Sequence, residues 1–281
     1  MDGPAAPTPG YADVDAMPDT ALLVQVMDET AMWEATRELR QATDGWLAVG
    51  PGDRVLDVGC GPGDVTRALA GMVGPEGEVV GIDASTVMVT EARRRADRTG
   101  LPVRFAVGDA YALDLDDATF DAVRSERVLQ WLHDPQQAID EMVRVTGPGG
   151  RVAVIDSDWG TFALYHPDVE LTERITRFFL HERRAQRIGR ELRARFRWAG
   201  LEGVVVRAVT QVFAEWDHTA RSLPPGFPPL RAFLPDVVGA GALSPQEAER
   251  WVAALEEAAR QGEFFASLTM YAATGRKPAD G

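Results

Sequence analysis

The sequence predicts an α/β fold in which a doubly wound, largely parallel sheet carries a ligand at one edge. A short apolar run at residues 54–58 predicts a strand, and a glycine-rich turn and a helical pattern follow it directly. Three further apolar runs, at residues 78–83, 103–107 and 120–124, each end in polar side chains. Ligands of open α/β sheets bind beyond the carboxyl ends of the strands, so these polar ends are expected to share one binding edge.

The glycine-rich turn favours a ligand that carries positive charge. Gly59, Gly61 and Gly63 let the backbone approach a ligand without a Cβ atom in between. A dinucleotide-binding turn requires the spacing G-x-G-x-x-G, but Asp64 stands where its third glycine would be. Asp57 adds a second carboxylate at the strand end, and two carboxylates disfavour a pyrophosphate. No Gly-Lys-[Ser/Thr] follows, which excludes a phosphate-binding P-loop.

Each later strand also ends in an acidic or polar cluster. Asp83 closes the second strand at about the separation at which such folds hold a ribose diol with a carboxylate. Asp109 follows the third strand, and Ser125 and Glu126 follow the fourth. Together these positions predict an adenosine-containing ligand along the edge of the sheet.

With these motifs the chain resembles the class I S-adenosylmethionine-dependent methyltransferases. The matching segments are VLDVGCGPG, VVGIDAS, VGDAYAL, FDAVRSERVLQWLHDP and GPGGRVAVID, which together span residues 54–156. The chain is most similar to the ubiquinone/menaquinone-type small-molecule branch, which includes many natural-product tailoring enzymes. The resemblance implies a seven-stranded, Rossmann-like sheet whose last strand is antiparallel, with S-adenosylmethionine as cofactor.

The same resemblance implies which residues contact the cofactor. Asp83 would bind the ribose hydroxyls, and Asp109 would accept a hydrogen bond from the adenine amino group. Glu126, or the backbone around Ser125 and Arg127, would face the methionine part and the methyl group. The full set of implied cofactor contacts is Asp57, Gly59, Gly61, Gly63, Asp83, Ala84, Met88, Asp109, Ala110, Ser125 and Glu126.

The order of elements predicts how the chain is organised. Residues 1–18 are expected to be an irregular tail, and residues 19–50 an N-terminal helical cover. The methyltransferase core is expected over residues 51–213, with its fifth strand at 151–156 and a long helical region at 168–199, in which Gly189 is a candidate break. Residues 214–262 form a lid-like insertion between the sixth and last strands, and residues 263–281 the final strand and tail. Such covers exclude water and select the substrate.

Methyl transfer needs alignment of the acceptor, and a base when the acceptor is a hydroxyl. His166 follows the fifth strand in an aromatic-rich segment, so it is the candidate base, with a surface-loop histidine as the alternative. Tyr11, Trp131, Trp159 and Tyr165 are the candidate acceptor contacts, because an aromatic cleft suits a flat or hydrophobic acceptor and a sulfonium cation. Trp131 stands where similar enzymes often have a histidine, which argues against a base at that position.

Composition excludes several function classes. The formal net charge of −14 argues against nucleic acid as a partner, because phosphate binding draws on clustered Lys and Arg. Cys60 is the single cysteine, so no intrachain disulfide is expected, and no residues show metal-ligand spacing. No secretory signal or membrane-spanning run is apparent, so we expect a cytoplasmic protein with a small-molecule acceptor, and a homo-oligomer stays possible.

These observations predict methyl transfer from S-adenosylmethionine to a small hydrophobic or aromatic acceptor in secondary metabolism. One alternative is a cofactor-binding cyclase that does not transfer the methyl group. Another is a nicotinamide-dependent oxidoreductase, which the glycine spacing disfavours. No Asn-Pro-Pro-[Tyr/Phe] follows the fourth strand, which argues against methylation of nucleobase or glutamine amino groups.

Overall fold

The computed structural model describes residues 14–16, 20–182, 185–216 and 230–279. In sequence order the strands are β1 (Arg54–Val58), β2 (Glu78–Asp83), β3 (Val103–Val107), β4 (Phe120–Glu126), β5 (Thr146–Leu164), β6 (Glu202–Phe213) and β7 (Ala266–Arg276). They form one sheet in the order β3-β2-β1-β4-β5-β7-β6. The neighbouring pairs from β3 to β5 are parallel, and β7 runs antiparallel to both β5 and β6. The predicted seven-stranded sheet with an antiparallel last strand is confirmed.

The helices in order are α1 (Thr20–Ala31), α2 (Glu34–Leu47), α3 (Asp64–Val73), α4 (Thr86–Ala96), α5 (Pro135–Val145), α6 (Val169–Glu182), α7 (Ile188–Trp198), α8 (Leu230–Gly239) and α9 (Pro245–Arg260). A 3₁₀ turn at Leu129–Trp131 follows β4. Among the described residues, no helix combines the length and the apolar character needed to cross a bilayer.

Helices cover both faces of the sheet, which explains why the strands are apolar at successive positions. Val55 lies in a buried cluster with Leu69 of α3. Its neighbour Leu56 lies in a second cluster with Ile139 of α5. Because successive side chains of a strand point to opposite faces, a strand covered on both faces needs apolar residues at nearly every position. The apolar runs that predicted β1 and β2 therefore follow from this burial.

The glycine-rich turn bends sharply over the end of β2. Gly59, Gly61 and Gly63 have φ values of +74°, +51° and +80°, in the left-handed region that side chains disfavour. The N–H group of Gly59 donates to the carbonyl oxygen of Ile82 at 2.7 Å. A Cβ atom on Gly63 would lie 2.8 Å from the Phe105 ring. The third glycine thus allows α3 to pack closely beside β3.

One predicted element differs from the structure. The fifth strand does not end at residue 156, because β5 continues to Leu164. The antiparallel strand β7 pairs with it along this length, with a register shift between Asp158 and Ala163, so Trp159 lies in a strand. The helical region at 168–199 is two helices, α6 and α7, and α7 begins at Ile188, beside the candidate break at Gly189.

The insertion after β6 packs against the far end of the sheet. Its helix α9 begins with the predicted capping box, in which Ser244 and Glu247 each accept from the other's backbone N–H. Trp251 of α9 is 1% exposed and packs in a cluster with residues of α6, α8, β5 and β7. The extension of β5 and β7 therefore supplies the apolar surface that these helices cover.

We predict that Gly63→Ala lowers the free energy of unfolding more than Gly52→Ala does. Both glycines have positive φ, +80° and +88°, but a Cβ atom on Gly52 would meet nothing within 4 Å. The Gly52 variant should therefore cost about 1–2 kcal/mol from backbone strain alone. The Gly63 variant should cost about 1–3 kcal/mol more, because its methyl group overlaps Phe105. Urea unfolding measures both, and equal losses would contradict the packing role.

Candidate active site

A cavity of about 300 Å³ lies beyond the carboxyl ends of β1 to β4. Its walls are the glycine-rich turn at residues 57–62, the end of β2 at 82–84, and residues 108–111 after β3. Residues 126–128 and 130–132 after β4 complete the wall on the other side. The polar strand ends that the sequence predicts to share one edge do meet there, as expected for a doubly wound sheet.

The N-terminal helices close the cavity from above. Met27, Thr30 and Ala31 of α1 line it, together with Arg40 of α2. These helices are not loosely placed, because Arg95 of α4 donates to Asp28 of α1 at 2.8 Å and to Asp64 at 3.2 Å. One guanidinium group therefore pairs both with the cover, through Asp28, and with Asp64, which directly follows the glycine-rich turn.

A second contact holds the segment that precedes α1. Asp15 accepts hydrogen bonds from the hydroxyl group of Ser85 and from the N–H group of Thr86, the latter at 2.9 Å. Hydrogen bonds lower the pKa of Asp15, the largest from Ser85, so its carboxylate stays ionised at the start of α4. The adjacent Val14 consequently lines the cavity.

Most of the predicted cofactor contacts line this cavity. They are Asp57, Gly59, Gly61, Asp83, Ala84, Met88, Asp109, Ala110 and Glu126. Two predicted contacts lie elsewhere. Gly63 lies against the Phe105 ring, and Ser125 is 1% exposed within the sheet.

A chain of buried charges forms the floor of the cavity. Asp57 accepts from the Thr66 hydroxyl at 2.7 Å and lies 3.5 Å from Nη1 of Arg124. Nη2 of Arg124 donates to Glu126 at 2.7 Å. Arg40 donates to the same carboxylate through Nε at 2.9 Å and Nη2 at 2.7 Å. The ion pairs of Arg40, Glu126, Arg124 and Asp57 connect α2, β4 and β1 in one network, which we call the floor network.

The floor network sets the protonation of its two acids. Burial raises the pKa of Asp57, and the attraction of Arg124 opposes this shift. Burial also acts to raise the pKa of Glu126, but Arg40 and Arg124 outweigh it and lower that pKa to about 2. Glu126 is therefore an ionised counter-charge for two guanidinium groups, and both of its oxygens are engaged.

Asp83 connects β2 to the glycine-rich turn. Its Oδ2 accepts from the Gly61 N–H at 2.8 Å, and its Oδ1 accepts from the Ser85 N–H at 2.9 Å. Burial raises the pKa of Asp83, and these two hydrogen bonds oppose the shift. Each oxygen has accepting capacity left for a ligand hydroxyl. Asp109 accepts from the Tyr111 N–H at 2.9 Å and is exposed at the other end of the cavity.

Residues 127–132 form the wall that follows β4, here called the acceptor wall. Arg127 has a φ of +59°, and its guanidinium lies 5.5 Å from the centre of the Trp33 ring. Trp131, a predicted acceptor contact, lines the cavity from this wall. Gln130 also lines it but has no signal in the sequence, because its place depends on the 3₁₀ turn.

The structure does not bring the remaining predicted acceptor residues to the cavity. Trp159 lies behind the acceptor wall, where its Nε1 donates to Oε1 of Gln130 at 2.5 Å. Tyr165 is 46% exposed on the surface. Tyr11 lies outside the described residues.

His166 is 4% exposed and stacks on Trp251 with 5.2 Å between ring centres. Its Nδ1 accepts from the Asp168 N–H at 2.9 Å, and Nε2 lies 2.9 Å from the Trp251 carbonyl oxygen. Both ring nitrogens are thus engaged away from the cavity, and the geometry gives no support for a base role. The strand extension explains the difference, since pairing with β7 carries this segment away from the binding edge.

Arg40 and Arg124 were also missed by the sequence analysis. Arg124 offered a signal, because a charged residue within an apolar strand requires a partner. Arg40 offered no such signal, since its contact with Glu126 depends on how α2 packs against the sheet. Among the described residues, no group of His, Cys, Asp or Glu side chains is arranged to hold a metal ion.

Comparison with known proteins identifies the class of enzyme. Residues 55–150 match the profile of a methyltransferase domain. Over 258 residues the chain is 36% identical to an uncharacterized 37.1 kDa protein in transposon Tn4556 of Streptomyces fradiae. This match covers 91% of this chain and 71% of that protein. It is 34% identical to the 2-phytyl-1,4-naphtoquinone methyltransferase of Thermosynechococcus vestitus, over 51% of this chain and 60% of that protein. It is 36% identical to the demethylmenaquinone methyltransferase of Bacillus cytotoxicus, over 48% and 58% respectively.

The named methyltransferases are therefore matched over less than two thirds of their own length.

Solved structures share the fold. The YcgJ protein of Bacillus subtilis has a TM-score of 0.57 at 19% identity, covering 86% of this chain and 99% of its own. Phosphoethanolamine N-methyltransferase 2 of Haemonchus contortus, in complex with S-adenosyl-L-methionine, has a TM-score of 0.59 at 16% identity, covering 95% and 60%.

The lining of the cavity fits S-adenosylmethionine. Charged side chains of both signs line it: the carboxylates of Asp57, Asp64, Asp83, Asp109 and Glu126, and the guanidinium groups of Arg40, Arg124 and Arg127. The acids outnumber the bases, as suits a ligand with a sulfonium and an ammonium group. Asp83 can hold the ribose hydroxyls, Ala84 and Met88 offer apolar contact to the adenine, and Gly59 and Gly61 admit the methionine part.

We predict that Glu126→Gln lowers the free energy of unfolding at pH 7 by about 3–5 kcal/mol, because Arg40 and Arg124 lose their shared counter-charge. The matched control is Glu257→Gln, which breaks a surface pair with Arg260 and should cost at most about 1 kcal/mol.

The pH dependence of the free energy of unfolding tests the role of Glu126 in a second way. The pKa of Glu126 is lowered from 4.5 to about 2. Its stabilising contribution is therefore complete above pH 4.5 and is lost as the pH falls towards 2. The stability gap between the wild type and Glu126→Gln should narrow over that window in urea unfolding. A gap that stays constant down to pH 2.5 would contradict the ionised floor network.

Proposed function

Because the chain belongs to the class I S-adenosylmethionine-dependent methyltransferases, we propose that it methylates a small hydrophobic or aromatic acceptor. The observation that carries this proposal is the composition of the cavity. Its lining combines the carboxylates at the strand ends with apolar side chains from the cover and the acceptor wall. A charged cofactor and an apolar acceptor can then meet within one cavity.

The apolar side chains of the lining suit a flat ring better than a small charged amine. Met27 and Ala31 come from the cover, Val14 from the segment before it, and Trp131 and Leu132 from the acceptor wall. Apolar pockets with one aromatic side chain gain most from a ligand that buries apolar area. Two relatives are named for naphthoquinone and menaquinone substrates, which are aromatic and hydrophobic. This agreement supports the acceptor class.

The side chains of this chain act mainly by alignment and exclusion of water. The bound cofactor supplies an activated methyl group for in-line displacement. Asp83 and the glycine-rich turn orient the nucleoside and methionine parts, and the cover removes water from the reacting groups.

The described cavity lining contains no histidine or lysine, and its acid Glu126 is committed to two arginines. We therefore propose that the acceptor brings its own reactive nucleophile. A hydroquinone, an ionisable phenol or a stabilised carbon would qualify, since each reacts once it is aligned.

We predict that incubation with methyl-labelled S-adenosylmethionine transfers label to reduced naphthoquinones or hydrophobic phenols. The panel should include a small hydrophilic amine such as ethanolamine as a control, which we expect to stay unlabelled. Label only in the hydrophilic amine would contradict the acceptor class. Product formed without label would favour the cyclase alternative.

We predict that Asp83→Ala weakens the binding of S-adenosylhomocysteine by about 1.5–3 kcal/mol, the scale of a hydrogen bond to a charged group. The control Asp53→Ala removes an acid that also accepts a backbone N–H, from Gly50 at 2.8 Å, but that does not line the cavity. Titration calorimetry compares the two. Equal affinities for Asp83→Ala and wild type would contradict the ribose assignment.

A further inference from the structure

The acceptor wall is held in place by the strand behind it. It leaves the sheet through Arg127, whose N–H donates to the Ile155 carbonyl oxygen at 2.7 Å. It then turns through Leu129–Trp131, so regular sheet pairing does not fix its shape. Its geometry must come from contacts specific to these residues.

Gln130 receives most of these contacts. Its backbone N–H donates to Oδ2 of Asp156 at 3.3 Å, and its Nε2 donates to the Arg127 carbonyl oxygen at 3.1 Å. Its Oε1 accepts from Nε1 of Trp159 at 2.5 Å. The residue is fully buried and lines the cavity. Backbone and side chain of Gln130 are therefore both fixed by β5.

Asp156 is an unusual residue for its position. It is fully buried in β5, next to the apolar Ile155. Its Oδ1 accepts from the Ser157 N–H at 2.8 Å, and the backbone N–H of Leu129 also interacts with it. Burial raises its pKa to about 7, although Arg127 opposes the shift. A buried acid is costly, so its partners on the acceptor wall indicate what it does for the structure.

We infer that Asp156, acting through Gln130, is a positioning residue that fixes the acceptor wall for methyl transfer, with Trp159 as the second support. The inference rests on the proposed function, because it assigns the acceptor to this side of the cavity. Asp156 does not line the cavity and so does not touch the acceptor itself. Its effect is on alignment, and displacement of an aligned group by 1 Å lowers a rate by about 100-fold.

The test uses three variants of the full chain. Asp156→Val removes both accepting oxygens, Asp156→Asn keeps one, and Trp159→Phe removes the donor to Gln130 together with part of a buried ring. Asp158→Asn is the matched control. Asp158 is fully buried on the same strand, but it pairs with Arg190 and accepts from the Gly160 N–H.

Three measurements separate positioning from general stability. Amide hydrogen exchange of residues 127–132 is followed with S-adenosylhomocysteine present, and the affinity for that compound is measured by calorimetry. Acceptor kcat/KM is measured with the best acceptor of the labelled panel. We expect Asp156→Val and Trp159→Phe to speed exchange in the wall and lower kcat/KM by about 10- to 100-fold. Affinity for S-adenosylhomocysteine should stay within about twofold, and Asp156→Asn should fall between wild type and Asp156→Val.

Asp158→Asn should lower the free energy of unfolding, but it should neither speed amide exchange in the acceptor wall nor lower kcat/KM. The inference is overturned if the two Asp156 variants and Trp159→Phe exchange like the wild type, or if Asp158→Asn changes the wall equally. If Asp156→Val does not fold, Asp156→Asn and Trp159→Phe decide the same question. A wild type that labels no acceptor would overturn the proposed function, whereas the exchange measurement would still decide whether Asp156 holds the wall.

Discussion

The floor network of Arg40, Glu126, Arg124 and Asp57 is the interaction on which the cavity depends. Glu126 could not remain ionised in this position without the cations beside it, and Arg124 could not be buried without an acid. Because its members come from α2, β4 and β1, the network joins the N-terminal cover to the strand ends that line the cavity. The helices of the cover therefore help to form the cavity, as the strand ends of the sheet do.

The network also explains how an acidic cavity can bind its ligand. Arg40 and Arg124 pair with Glu126 and Asp57, and Arg67 and Arg95 pair with Asp64. We expect the nucleoside to use two other acids of the lining, Asp83 and Asp109. Apolar side chains of α1 and the acceptor wall line the same cavity. Carboxylates and apolar surface in one cavity suit a cationic cofactor and a hydrophobic acceptor.

The sequence predicted the features that depend on local pattern. Apolar runs and glycines identified β1, β2 and the turn that joins β1 to α3, and acids at or just after the strand ends identified Asp57, Asp83 and Asp109. It could not predict features set by distant pairing. The length of β5 depends on β7, more than 100 residues later, and this length removes His166 from the binding edge. Gln130 lacks any local signal for the same reason.

The most direct test of this account is a double-mutant cycle between Arg40 and Glu126. The variants Arg40→Gln and Glu126→Gln and their combination are compared by urea unfolding at pH 7 and by the affinity for S-adenosylhomocysteine. If the pair joins the cover to the cofactor site, the two substitutions should be coupled by at least about 1 kcal/mol in stability. The double variant should also bind S-adenosylhomocysteine more weakly than the wild type. Stability effects that add within about 0.3–0.5 kcal/mol, with wild-type affinity in every variant, would contradict the central role of the floor network.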